Sequence, residues 1–247
     1  MRARIVAPLL AAVIGISGGA VAALVTESES TQDPETPAAV EEDPLGLGIP
    51  MIRVECAANH GLLVLGYGDT SASLRAAMGE HPGEDLSYVD VAQSCDTIFA
   101  PERLDPPAYA VVLGPFTDLT EPCRIRMTDE FSAGFVTHLR AGNEISVKCV
   151  CVLPATAGPE LRLGMDEDAD DVVWVRGLQN MFVDADAEHP EEDDVFLKNW
   201  VTGTYDERTE ARVRRYQQRS SVRSEPGVVD ADTWEIIKRR VCGSYSF

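Results

Sequence analysis

The stretch Tyr109-Ala110-Val111-Val112-Leu113-Gly114-Pro115-Phe116 decides the reading of the fold. An apolar run of strand length closed by a Gly-Pro turn is the pattern of a buried strand. Downstream of it, residues 120–131 read as a helix and 134–139 as a second strand. Upstream, beyond a Pro-rich turn at 105–107, the same order occurs once more. Leu62-Leu63-Val64-Leu65 forms a strand within residues 61–66, residues 71–78 read as a helix with Ser71 as its N-cap, and 88–91 return as a strand. Strand, helix, strand is thus written twice, which predicts an α+β domain of doubled βαβ type with its helices on one face of a sheet. Residues 144–153 are expected to add a strand bearing Cys149 and Cys151, whose side chains would then share a face and not pair with each other.

This domain, assigned to residues 51–158, is flanked by very different sequence. Residues 1–25 open with Arg2 and Arg4 and run apolar from Ile5 to Val25, about the 20 residues that span a bilayer. They read as an export signal, either a retained membrane anchor or, given Ala20-Val21-Ala22, a cleaved signal peptide. With the two arginines held in the cytoplasm, the rest of the chain is expected outside, at the membrane or secreted to the cell wall. Residues 26–50 hold seven acidic and no basic residues and no aromatic, the composition of a tether that gains too little from burial to fold. A second acidic segment, residues 159–171, reads as a linker, and residues 172–247 as a separate helical domain. The formal net charge of −20 over 247 residues excludes nucleic acid as a partner, since phosphate neutralisation needs clustered Lys and Arg.

All six cysteines, Cys56, Cys95, Cys123, Cys149, Cys151 and Cys242, follow the export segment. An even count in an oxidising compartment reads as three disulfides. The expected pairs are Cys95 with Cys123, Cys56 with either Cys149 or Cys151, and Cys242 with the other of those two.

The C-terminal region carries four motifs in order: Val175-Arg176-Gly177-Leu178-Gln179; Thr202-Gly203-Thr204-Tyr205-Asp206-Glu207-Arg208-Thr209; Glu210-Ala211-Arg212-Val213-Arg214-Arg215-Tyr216-Gln217; and Pro226-Gly227-Val228-Val229-Asp230-Ala231-Asp232-Thr233-Trp234. They resemble the Val-x-x-Leu-Gln start, the Gly-containing turn, the aromatic-Gln helix end and the closing Thr-Trp signature of the peptidoglycan-binding domain. The residues alone predict three short helices around Leu178, Val213, Tyr216, Val228, Trp234 and Ile237, with Thr209 capping one helix and Asp232 or Thr233 capping the next. Gly203 and Gly227 are expected to supply the turns. The resemblance implies non-catalytic peptidoglycan binding, for which Tyr205, Asp206, Arg212, Gln217 and Trp234 are the candidate contacts. Arg212 suits a stem-peptide carboxylate. The chain departs from the family in an acidic insertion, residues 184–194, and in Asp206 where the family has Gly. If the insertion covers the groove, the helical domain loses wall binding and the disulfide-linked middle domain is an extracellular sensor or interaction module for a membrane-associated envelope partner. In the middle domain, Tyr109–Phe116 is similar to the opening strand and turn of sporulation-related repeat domains, which implies a contact with glycan strands.

Nothing points to catalysis, a metal or a cofactor. His60, His81, His138 and His189 lack paired-ligand spacing, and neither a nucleophile motif nor a phosphate loop is present. Asp166-Glu167-Asp168-Ala169-Asp170 lacks the glycine and terminal glutamate of a calcium loop and reads as a solvated acidic run.

Overall fold

A computed structural model describes residues 40–41, 43–57, 59–99, 106–141, 147–166, 168–188 and 201–242. Its first strands are β1 (Val40–Glu41), β2 (Met51–Ile52) and β3 (Gly61–Gly68), followed by helix α1 (Ser71–Gly79) and strand β4 (Ser87–Asp90). Strand β5 (Tyr109–Phe116), helix α2 (Thr120–Arg126) and strand β6 (Phe135–His138) repeat the order, and helices α3 (Cys149–Val152), α4 (Ala169–Glu188), α5 (Glu207–Ser220) and α6 (Ala231–Val241) complete the chain. The fold is mixed α+β with three disulfides. The strands lie in the order β1-β2-β4-β5-β3-β6. Within it β4, β5, β3 and β6 are mutually antiparallel neighbours, so β5 lies between β3 and β4, the split βαβ arrangement.

Both faces of this sheet are buried. Leu63, Tyr88, Val111 and Val136 look toward Leu74 of α1 and Cys123 of α2 in one core. Their neighbours Leu62, Val64, Val89 and Val112 point the opposite way, as alternation in a strand requires, into a second core covered by Val91, Cys95 and Ile98. The covering segment is tied down at several points. Cys95 is bonded to Cys56, Thr97 donates its hydroxyl to the His138 carbonyl, Thr137 donates to the Thr97 carbonyl at 2.6 Å, and Tyr67 donates to the Ile98 carbonyl at 2.6 Å.

Helix α1 begins one residue after its cap. Thr70, not Ser71, accepts the Ser73 amide at 3.2 Å while Ser73 accepts the Thr70 amide at 3.3 Å, a reciprocal capping box. Helix α2 stops at Arg126, short of the expected 131, because residues 128–134 form turns.

The cysteine region differs from expectation. Cys149 and Cys151 lie on the helical turn α3 and not on a strand. The pairs are Cys56–Cys95, Cys123–Cys149 and Cys151–Cys242. The expected Cys95–Cys123 bond is absent, and so is one from Cys56 to Cys149 or Cys151. Only the closure of Cys242 onto one of the close pair is as expected. The reason is directional: residues two apart on a strand face the same way, whereas on a helix they diverge by about 200°, which lets Cys149 reach α2 and Cys151 reach the end of α6.

Residues 159–171, read from sequence as linker, make specific contacts. Leu161 is fully buried and exchanges backbone hydrogen bonds with Val229 at 3.0 and 2.8 Å, and the Pro159 carbonyl accepts the Trp234 indole N–H at 2.9 Å. The acidic run there has a local task. Asp168, just ahead of α4, accepts the Asp171 amide at 2.8 Å, and Asp170 accepts the Asp129 amide at 2.8 Å. Val173, Val175, Leu178, Met181 and Phe182 are all buried, the apolar face that the sequence announces. No helix among the described residues is long and apolar enough to cross a membrane. The apolar segment at residues 1–25 and most of the acidic tether lie outside the described residues, as do His189 and the side chains of the acidic insertion.

Candidate functional site

The helical region is built from one device used repeatedly. Gln179 of α4 is fully buried, and its side-chain oxygen accepts the amides of Thr202 at 2.8 Å and Gly203 at 3.0 Å. Its amide nitrogen donates to the Thr204 carbonyl and the Thr209 hydroxyl, both at 3.1 Å. Gln217 of α5 does the same to the following turn: it accepts the Gly227 amide at 2.8 Å and donates to the Val228 carbonyl at 2.8 Å and the Thr233 hydroxyl at 3.0 Å. Both glycines sit in the left-handed region, at φ +85° and +87°, which a side chain would strain. Space forbids one as well. A Cβ on Gly203 would lie 2.8 Å from Val172 Cγ1, and one on Gly227 would lie 2.7 Å from Glu210 Cγ.

Each turn ends in an aspartate three residues after its glycine. Asp206 accepts the Thr209 amide and Asp230 the Thr233 amide, each at 2.8 Å. These aspartates are the N-caps of α5 and α6, in place of the expected Thr209 and Asp232 or Thr233. An N-cap side chain must reach the amide three residues on, so the threonines sit inside the first turn as receivers of the cap. Asp168 stands in the same relation to Asp171 at the start of α4, and the correspondence runs on through Val175, Val213 and Ile237, all fully buried.

The five candidate contacts can now be placed. Tyr205 is buried, and its hydroxyl donates to the Gly227 carbonyl at 2.8 Å, locking the first turn onto the second. Burial pushes its pKa up, and the Glu210 carboxylate adds to the shift. Trp234 is buried edge-on against Trp174, with ring centroids 5.6 Å apart. Gln217 is committed to the second turn and Asp206 to capping α5. Arg212 is 9 % exposed, and burial lowers its pKa. Asp206, Tyr205 and Gln217 therefore come together around the two turns, while Trp234 packs on α4 and Pro159. Around the first turn Thr202, Thr204, Glu207 and Arg208 are exposed, and of these the Thr202 hydroxyl is spent within the turn, accepting the Thr204 amide at 3.1 Å and the Gln179 side-chain amide at 3.3 Å. Gln179 and Val229 stand within the quoted motifs but have no role in the sequence reading: Val229 is the fully buried residue of the last turn and Val228 only partly so. The spacing from each glycine to its aspartate and threonine is a written signal that would have found the repeat.

Elsewhere the groups able to hold a metal are few. Among the described residues Cys56, Cys95 and Asp96 cluster, but the two sulfurs are bonded to each other and offer no thiolate. His81 is buried and stacked on Phe131, with ring centroids 4.8 Å apart. The strand Tyr109–Phe116 lies inside the sheet, with Val111 and Val112 covered on opposite faces. Comparison of the chain with family models, with curated proteins and with solved structures returned no match.

Proposed function

We propose that this chain is an exported, envelope-associated protein that holds peptidoglycan non-catalytically through its C-terminal helical region, residues 172–247. The observation that carries the proposal is the pair of glutamine-pinned turns. The residues of the four family-like motifs, Gln179, Gly203, Thr209, Gln217, Gly227 and Thr233, are the ones that interlock there. Such a rigid turn holds the exposed Thr204 hydroxyl and the Glu207 side chain in fixed positions, as recognition of sugar hydroxyls and amides requires. The three disulfides accord with an oxidising compartment.

The second reading, an extracellular sensor or interaction module contacting an envelope partner, draws on the burial of Tyr205, Arg212, Gln217 and Trp234, which leaves little of the expected contact set exposed. Sedimentation with purified insoluble peptidoglycan separates the two. The oxidised chain from residue 26 onward is the proper sample, because Cys151–Cys242 and the Trp234–Pro159 contact tie the helices to the preceding region. Retention in the pellet, reduced about tenfold by Thr204→Ala with Glu207→Gln at unchanged stability, is the expected result. Absence of retention would leave the interaction module as the function.

A further inference from the structure

A second site lies where α2, β6, α3 and α4 meet around a cavity of about 340 Å³, with Arg176 at its edge lying against Gly203 of the first turn. That volume is at the small-ligand end of the range of protein binding pockets. Its floor is apolar and buried, formed by Met127, Val136, Val150 and Met181. Three cations, Arg126, Lys148 and Arg176, line it together with Ser132 and Asn180. The chain carries 41 acidic residues against 21 basic ones, yet no carboxylate is among the described residues lining this cavity. Of the three, Lys148 has a partner of its own, which leaves the two arginines to be accounted for.

Arg126 is the central group. Burial lowers its pKa, and among the described residues it makes no hydrogen bond or ion pair. A half-buried guanidinium is costly unless an anion reaches it. Arg176 projects from the facing helix α4, one residue before Gly177. A Cβ on Gly177 would lie 2.7 Å from Val150 Cγ2, so glycine in mid-helix, ordinarily unfavourable, is what lets α4 approach α3 here.

From these features we infer that the cavity binds a small carboxylate with a short apolar stem, of amino-acid to dipeptide size. The carboxylate would be gripped by Arg126 and Arg176 and the stem would rest on Met127, Val150 and Met181. Guanidinium forks match carboxylates in two-point fashion, and the apolar floor disfavours a bare inorganic anion. The C-terminus of a peptide stem and a free amino acid share this chemistry. The inference stands without wall binding, since its central group, Arg126, belongs to neither turn.

Calorimetric titration of the oxidised chain from residue 26 tests it, with D-alanyl-D-alanine, its C-terminal amide, free leucine and inorganic phosphate as probes. The expected result is saturable binding of the dipeptide or of leucine with Kd below about 1 mM, at least tenfold weaker for the amide than for the dipeptide where the dipeptide binds, and at least tenfold weaker with Arg126→Gln. Dipeptide binding assigns the peptide stem as the source, and leucine binding alone assigns a free amino acid. If Arg126→Gln alters the fold, Arg126→Lys, which keeps the charge but not the two-point fork, serves in its place. Equal binding of acid and amide, phosphate binding as tight as that of the organic acids, or no binding by any probe would overturn the inference. Retention on peptidoglycan is expected to survive Arg126→Gln, so failure here and failure of the wall-binding proposal are read separately.

Discussion

Asp43 shows how one carboxylate fixes a stretch of chain with little regular structure. It accepts the Gly48 amide at 2.8 Å and the hydroxyl of fully buried Tyr88 at 2.7 Å, which pins residues 43–48 against the sheet. The Gly48 amide first, then the Tyr88 hydroxyl, hold its pKa down at about 2, and Tyr88 is in turn pushed up to about 12 by burial and by Asp43. A carboxyl depressed in the folded state contributes stability that is complete above its unfolded value near 4 and is lost as pH falls through about 2. Thermal midpoints of Asp43→Asn are therefore expected to fall less steeply than those of the parent between pH 4 and pH 2. Parallel curves would show that the contact does not titrate with folding. Asp230 works in the same direction: burial alone would raise its pKa, but hydrogen bonds from Thr233 and Ser224 outweigh that effect and lower it.

At the level of helices and strands, the repeated glutamine is the feature with the largest expected effect. Gln179→Leu keeps most of the volume but strands the amides of Thr202 and Gly203 and the Thr204 carbonyl, each worth about 1–3 kcal/mol when buried without a partner. Urea unfolding is expected to register a loss of about 2–5 kcal/mol, because partial rewetting of the exposed side of the turn recovers some of the sum. A loss under about 1 kcal/mol would mean that the turn is held by other contacts. This scale also shows what the sequence makes legible. The two strand-helix-strand passages are plain, because Leu62–Leu65 and Val111–Leu113 are long apolar runs punctuated by glycine and proline. The apolar face from Val173 to Phe182 is equally plain. The run from Val147 to Leu153 is ambiguous, since a four-residue helix is too short to display a period, and only the partners of Cys149 and Cys151 settle which way each points. The caps lie two or three residues ahead of the expected ones because Asp and Thr are both good cap residues, and the pattern Asp-x-x-Thr does not say which is the acceptor. The candidate contacts are motif residues, and of these Tyr205, Asp206 and Gln217 are consumed by the turns while Trp234 packs on α4 and Pro159.

Across the whole molecule, the core on the helix side of the sheet is continuous with that of the C-terminal helices, running from Leu63 and Val111 through Val150 to Leu178, Trp234 and Ile237. Residues 37–247 accordingly form one compact unit. Cys151–Cys242 fastens its last helix across a sequence separation of 91 residues, the longest of the three bonds. Loop-closure entropy makes such a staple worth about 2–5 kcal/mol. Cys151→Ser with Cys242→Ser is thus expected to lower the denaturant midpoint in a single cooperative transition. Two resolved transitions, with the upper one unmoved, would mean that the helices and the sheet unfold independently. The repeat also bears on how the chain assembles. Gln217 meets its glycine ten residues away, whereas Gln179 must wait for one twenty-four residues away, across the acidic insertion. Closing the shorter contour is favoured by about 0.8 kcal/mol of chain entropy, so nucleation of this region is expected to start at its C-terminal hairpin of helices and to spread backward toward α4.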